Sequence, residues 1–319
     1  VLLIVAYIVS SKCPYVYGYT MLETPVQSDA MVVDEMITES FGDSNMVALV
    51  VPAGNYEKEK KLLAELDARE EIDYTMGLAN TEAMDGYMLT DKLTAREFSE
   101  LLELDYEIAE VLYMAYAVND ENYAKIINGL SSYSVPLIDM FMFLYDEVDE
   151  GYVTLEDDLM DTLEDAHSKM QIALDQLQGT EYSRMLIYLN LPEEGEETFA
   201  FLDEMHEIAN KYYDGTILIP GEATSQYDLY KTFQRDNTVV NVVSILAVLV
   251  VLLFTFMSAG MPVLLIMVIQ GVIWINFSVP AVQQKNVFFM SYLIVSSIQM
   301  GANIGYAIVI SGRFLELKE

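Results

Sequence analysis

Charged positions stop abruptly near the end of the chain. Between Asp236 and Lys285 there is no Asp, Glu, Lys or Arg, and from Asn286 to Gly312 there is again none. A bilayer core asks for about 20 apolar residues per helix. The first stretch holds two such helices, predicted at about 239–257 and 261–279, with Gly260 and Pro262 marking the turn between them. A third is predicted at about 287–311. Uncharged runs of this length are the membrane pattern rather than three buried helices of a soluble protein. Trp274 and Phe277 near one end, and Phe288, Phe289 and Tyr292 near another, suit an interfacial aromatic belt. The beginning of the chain is apolar too. Residues 1–9 read VLLIVAYIV, which is too short to span and lacks the basic leader of a signal peptide. It is read as the end of a truncated first span, closed by Lys12 and Pro14. Tyr15, Tyr17 and Tyr19 follow in alternation, at the interface or in a short strand.

Between these ends the pattern is that of a folded α+β domain. Ser28 can cap a helix with the stripe Val32, Val33, Met36, Ile37 and Phe41, and Gly42 stands just past its end. A strand at 46–51, a turn at Pro52-Ala53-Gly54, a helix at 56–68 burying Leu62, Leu63 and Leu66, and a strand at 72–76 make a βαβ-sized unit. The order recurs as a helix at 155–177, a strand at 184–190, a helix at 196–213 and a strand at 216–219. Phe199, Leu202, Met205 and Ala209 share one face of the later helix. Between the two helix-strand-helix-strand units lies a helical insert. Thr94 with Glu97 forms a capping box that starts a helix to about 116, and a second helix covers about 134–148.

Composition sharpens this division. The chain has 319 residues and a formal charge of -34, yet 53% of its residues are hydrophobic and the mean hydropathy is +0.26. The two facts agree because the charge is segregated. The stretch from Glu23 to Asp236 carries 48 acids and 12 bases, a net -36, and the rest of the chain is +2. So acidic a chain repels phosphate, which excludes nucleic acid as a partner. A single cysteine, Cys13, excludes a disulfide framework, and two histidines argue against a His-based metal centre. The expected organisation is residues 1–12 as the end of a span, 13–236 as the acidic domain, and 237–319 as three spans with a short terminal segment. Arg313 and Lys318 after the last span point to the cytoplasm by the positive-inside rule, which puts the acidic domain outside the membrane. Lys285 pulls weakly the other way.

Few residues suggest chemistry. The run from Asp146 to Gly151 resembles the start of a calcium loop, but Val148 would fall on a ligand position, so it reads as an acidic turn. Glu193, Glu194, Glu196 and Glu197 complement a helix N-terminus. His206 reads as a packed histidine. His167 and Ser168 are neighbours that cannot face each other on a helix. There is no Walker motif and no GxGxxG, hence no cofactor is expected and no enzyme activity. The last span is more informative. Ser297, Gly301 and Gly305 recur every four residues, a stripe that lets helices approach closely in lipid. Gln299, Asn303 and Tyr306 are polar groups at membrane depth, for packing or for a polar path.

These residues resemble the RND superfamily, specifically its MMPL branch of membrane exporters. The resemblance rests on the Ser28-Asp29…Phe41-Gly42 helix with the 46–51 strand, on Gly221-Glu222-Ala223 leading a long helix, and on GANIGYAIVISGRFLEL at the end. It implies two repeats, each with one span, an extracytoplasmic porter-like domain and five more spans, and this chain is more similar to part of the second. It further implies proton-driven export of hydrophobic or amphiphilic molecules, lipid or drug-like, from a cell membrane. The other repeat of the same protein, the lipid bilayer and the substrate would be the partners. Protons are expected to cross at buried Asp–Tyr pairs. Tyr306 matches the Tyr, and Arg313-Phe314 the cytoplasmic end, but Gly305 stands where the Asp would be. The candidate relay and packing residues are therefore Tyr306, Gly305, Gly301, Asn303 and Ser297. The alternatives are a MacB/FtsX-type permease subunit driven by a partner ATPase, with a similar arrangement of spans, and a non-transport membrane scaffold.

Overall fold

The computed structural model describes residues 2–18, 29–41, 45–119, 129, 132–154 and 157–318. It divides into two compact units. One comprises Val1–Asp43, Glu193–Glu196 and Ala223–Glu319, and the other Ser44–Pro192 and Glu197–Glu222.

The chain opens with α1 (Leu2–Ser10), a two-residue strand β1 (Tyr15–Val16) and α2 (Asp29–Phe41). The stripe Val32, Val33, Met36 and Ile37 on α2 is exposed. The expected cap Ser28 and stop Gly42 lie outside the described residues, as does Tyr19. Alternation then builds β2 (Asn45–Pro52), whose Val47, Leu49 and Val51 are fully buried. Helix α3 (Tyr56–Asp67) is capped by Asn55, which accepts the Lys58 N–H at 3.0 Å, and it buries Leu62, Leu63 and Leu66 as their spacing predicts. Strand β3 (Ile72–Met76) follows.

The insert differs from its reading. After a 3-10 turn at Leu78–Asn80 it begins with three short strands that the sequence did not suggest, β4 (Glu82–Met84), β5 (Tyr87–Met88) and β6 (Lys92–Thr94). The capping box forms, with the Thr94 N–H donating to Glu97 Oε2 at 2.8 Å. The helix does not reach 116, however. It ends as α4 (Ala95–Leu101), because Glu103 takes a φ of 50° and the Leu104 N–H returns to the Ser99 carbonyl at 3.0 Å. Asp105 then accepts the Glu107 N–H at 3.1 Å and starts α5 (Tyr106–Asn119) afresh. Residues 134–136 are not helical either. They form β7 (Ser134–Pro136), paired with β6, since a residue before proline is biased to extended backbone. Helix α6 (Leu137–Asp149) completes the insert, and α7 (Asp157–Leu177), which opens the second helix-strand unit, packs Leu163, Met170 and Leu177 against it. Phe98, Tyr113, Ile138, Met140 and Leu144 form its core, and the Tyr113 hydroxyl donates to the Leu93 carbonyl at 2.9 Å.

Strand β8 (Tyr182–Leu189) then enters the sheet between β2 and β3, antiparallel to both. After α8 (Glu196–Asn210), the segment 216–219 was expected to be a strand. It makes only isolated bridges, Leu218 to Val50 and Gly221 to Val47, along the outer edge of β2. Pro220 has no N–H to extend a ladder. The sheet order is thus the 218–221 edge, β2, β8, β3, two interlocked split β-α-β units. Helices α3 and α8 are tied together by Lys211–Glu65 at 2.6 Å, by Tyr212–Glu65 at 2.6 Å and by Arg69–Glu204. Their apolar faces, including Leu63, Leu66, Met205 and Ile208, are buried with Met185 and Ile187 of β8.

The remaining elements are α9 (Glu222–Phe256), α10 (Gly260–Gln283), β9 (Val287–Phe288) and α11 (Phe289–Lys318). Helix α9 begins well before the predicted span at 239. Helix α11 begins two residues after the predicted 287, because Val287 and Phe288 pair in parallel with Tyr15 and Val16. All three helices are long and apolar enough to cross a membrane. Their outer faces carry exposed Val, Leu, Ile and Phe, as lipid rather than water would require.

Candidate functional site

Helix α11 has two unlike faces. Met300, Ile304 and Ile308 pack into a cluster with Val248 and Leu252 of α9 and Ile269, Ile273 and Phe277 of α10. Ser297, Gly301 and Gly305 form an exposed strip beside that buried face. Apart from the neighbouring backbone of α11 itself, no described atom lies within 4 Å of where a Cβ would stand on Gly301 or Gly305. Tyr306 is 73% exposed beside them. Asn303 and Gln299 lie on the flank, half-buried, and Gln299 Oε1 is shielded without a hydrogen-bond partner among the described residues. Gln270 of α10, which the sequence reading passed over, is buried with its Oε1 in the same condition. An amide in an uncharged run was the signal that could have flagged it. Among the described residues no other helix packs on Gly301 or Gly305.

The opposite end of α11 is held by aromatic packing. Phe277 meets Tyr292 at 4.5 Å between ring centroids, Tyr15 meets Phe233 at 5.2 Å, and Tyr17 meets Phe289 at 5.4 Å. Phe277, Phe289 and Tyr292 are buried, so they form an aromatic core instead of the outward belt expected of them. The hairpin between α10 and α11 brings the two groups to the same end, where they meet each other. Trp274 packs on Tyr7 of α1 at 5.0 Å, and Ser278 donates to the Ala6 carbonyl at 3.0 Å. Gly271 lets Leu3 approach α10 closely.

Glu194 has a role that its cluster did not reveal. Its Oε1 accepts the Tyr17 N–H at 2.8 Å and its Oε2 accepts the Gly18 N–H at 3.1 Å. The carboxyl is buried, which pushes its pKa up, while the two N–H groups pull it down. Partners 177 and 176 residues away leave no local signal. The run from Asp146 to Gly151 closes α6, with the Glu150 N–H returning to the Asp146 carbonyl at 2.9 Å. His167 stacks on Tyr145 at 3.6 Å, and His206 is half-buried on α8. Among the described residues no group of three His, Cys, Asp or Glu side chains could hold a metal ion.

Three apolar helices of spanning length, joined to a folded α/β domain, define a multi-pass membrane protein. The family model of the MMPL family matches residues 153–318, a stretch that takes in β8, α8 and all three candidate spans. The chain belongs to the MMPL family, which makes it, at family level, an RND-type transporter of hydrophobic substrates. No curated protein matches the chain.

Proposed function

We propose that this chain is part of an exporter in the cell membrane that moves hydrophobic or amphiphilic molecules, lipid or drug-like, and that the full protein is driven by protons. It acts as a transporter, not as an enzyme, and its acidic α/β domain serves as an extracytoplasmic porter domain. The observation that carries the reading is the family match over residues 153–318, which takes in all three candidate spans. The open face of α11 supports it. Gly301 and Gly305 have room around them for a neighbouring helix, which we take to be in the other repeat of the same protein.

Proton coupling needs a group that titrates inside the membrane, normally a carboxyl. Lys285 is the sole charged residue between Asp236 and Arg313. A tyrosine hydroxyl such as that of Tyr306 does not replace a carboxyl as the proton carrier. In this reading the carboxyl comes from elsewhere in the protein, and Tyr306 and the stripe of Ser297, Gly301 and Gly305 form the surface it works against, with Asn303 at the flank.

The test is transport of a lipophilic dye by the full protein in vesicles, at several proton gradients. Wild-type transport should collapse with a protonophore. Gly305→Asp, which meets open space in this chain, should strengthen the dependence on the gradient. Transport that ignores the protonophore would overturn the proton drive. An unaltered pH profile in Gly305→Asp would overturn the assignment of the 305–306 pair.

A further inference from the structure

The helix-covered face of the α/β sheet is mostly apolar, with Val47, Leu49, Val51, Met185 and Ile187 buried, and the carboxyl that joins it comes from α3. Glu59 is 1% exposed on α3, one turn before Leu62 and Leu63 on the same buried face. Ser183, at the start of β8, is 2% exposed, and Tyr213, just after α8, is 5% exposed. Glu59 Oε1, Ser183 Oγ and the Tyr213 hydroxyl are each buried with no hydrogen-bond partner among the described residues. Native interiors leave few such atoms unpaired, so three together call for an occupant. They are neighbours. The Ser183 hydroxyl is close enough to favour an ionised Glu59, though it closes no hydrogen bond of good geometry, and a charge on Glu59 acts on Tyr213.

The charged and titratable groups around Glu59 do not neutralise it. From its own helix comes Tyr56, whose hydroxyl donates to Gln178 at 2.9 Å and which has Asp139 of α6 behind it. Lys58 lies over the Tyr213 ring at 5.5 Å. Lys60 pairs with Asp91 and Lys211 with Glu65, both at 2.6 Å, and Arg69 pairs with Glu204. Among the described residues no cation forms an ion pair with Glu59. A buried carboxylate without a counter-charge costs several kcal/mol and takes up a proton instead. The neutral carboxyl gains an O–H that a hydroxyl oxygen can accept.

We propose that Glu59, Ser183 and Tyr213 form a proton-binding site inside the α/β domain, and that loss of its proton loosens α3 from the sheet. This inference stands apart from transport through the spans. Burial holds the Glu59 pKa above its ordinary value. A carboxyl raised in the folded state stabilises the fold fully below its unfolded pKa of about 4.3, and that contribution is lost as pH rises through the folded value. The domain therefore tightens in acid.

Hydrogen exchange of the full chain in detergent micelles, corrected for the intrinsic pH dependence, reads the protection of α3 between pH 4 and pH 8. Wild-type protection should fall with rising pH, by about tenfold for each unit that separates the folded and unfolded pKa. Glu59→Gln should hold α3 protected throughout. Asp139→Asn should keep the wild-type transition. Tyr213→Phe, which takes away a hydroxyl that could turn to an ionised Glu59, should move the transition to higher pH. Protection that does not vary with pH in the wild type overturns the proposal. So does a transition that vanishes in Asp139→Asn, or equal loss of protection at both pH limits in Glu59→Gln. An unmoved transition in Tyr213→Phe removes Tyr213 from the site.

Discussion

Glu194→Ala separates two accounts of the acidic run before α8. If Glu193, Glu194, Glu196 and Glu197 merely complement the helix N-terminus, each is worth a few tenths of a kcal/mol to about 1, and they are interchangeable. The structure gives Glu194 a different role, since both of its oxygens accept backbone N–H groups, from Tyr17 and Gly18, in a buried setting. Removing the acceptor strands two donors, at about 1–3 kcal/mol each. Water can return to one of them once the side chain is gone, so a net loss of about 2–3 kcal/mol is expected, local to the segment after β1. At ~1.4 kcal/mol per tenfold, the Tyr17 and Gly18 amides should exchange about 30- to 140-fold faster. Hydrogen exchange of the full chain in micelles reads these amides directly. Glu197→Ala, exposed on the first turn of α8, is the control and should leave them unchanged. Glu194→Gln keeps one acceptor oxygen and should fall between. Exchange in Glu194→Ala within about threefold of wild type, or an equal effect from Glu197→Ala, would refute the clamp.

Gly271→Val should lower the thermal midpoint in detergent by overpacking α1 against α10, at a cost of about 1–3 kcal/mol, and Leu3→Ala in the same chain should recover most of it. Gly221→Ala sets a Cβ 3.1 Å from the Val47 Cα, where backbone must shift. It should cost a similar ~1–3 kcal/mol and speed exchange of the Ala48 amide, which donates to Pro220 at 2.8 Å. Burial pushes the Asp139 pKa up to about 6, so the fold favours the neutral carboxyl. Its contribution is complete below about pH 4, its ordinary range, and is lost as pH rises through about 6. Asp139→Asn should remove that loss, at most ~3 kcal/mol, from the protection of α6 between pH 4 and pH 7.

What the sequence made legible follows the range of the forces involved. The spans were readable because lipid imposes one rule on every residue of a helix, and three helices of spanning length are present. The buried faces of α3 and α8 were readable because burial repeats at helical period, and Leu62, Leu63, Leu66, Phe199, Leu202 and Met205 are indeed inside. Where a choice depends on a single residue, the reading failed. Glu103 splits a helix that propensity alone would continue, and Pro136 keeps Ser134 and Val135 in a strand. Residues 82–94 hold strands of two and three residues, shorter than any periodicity can register.

The site residues divide along the same line. Ser297, Gly301 and Gly305 were legible as a stripe because i to i+4 spacing is a local fact. Whether that stripe faces inward was not, because it depends on which face Met300, Ile304 and Ile308 bury, and the helix is apolar on both sides. Glu59 lay within reach of the same arithmetic, for positions 59, 62, 63 and 66 share one helix face. A charged residue on an otherwise apolar stripe reads as surface when residue types are considered one at a time. Considered as a face, it reads as a carboxyl carried into the core, where its ionisation and the packing of α3 become one equilibrium. Glu194 had no such route, since its value lies in two N–H groups far away in the chain, and only the folded structure brings them together.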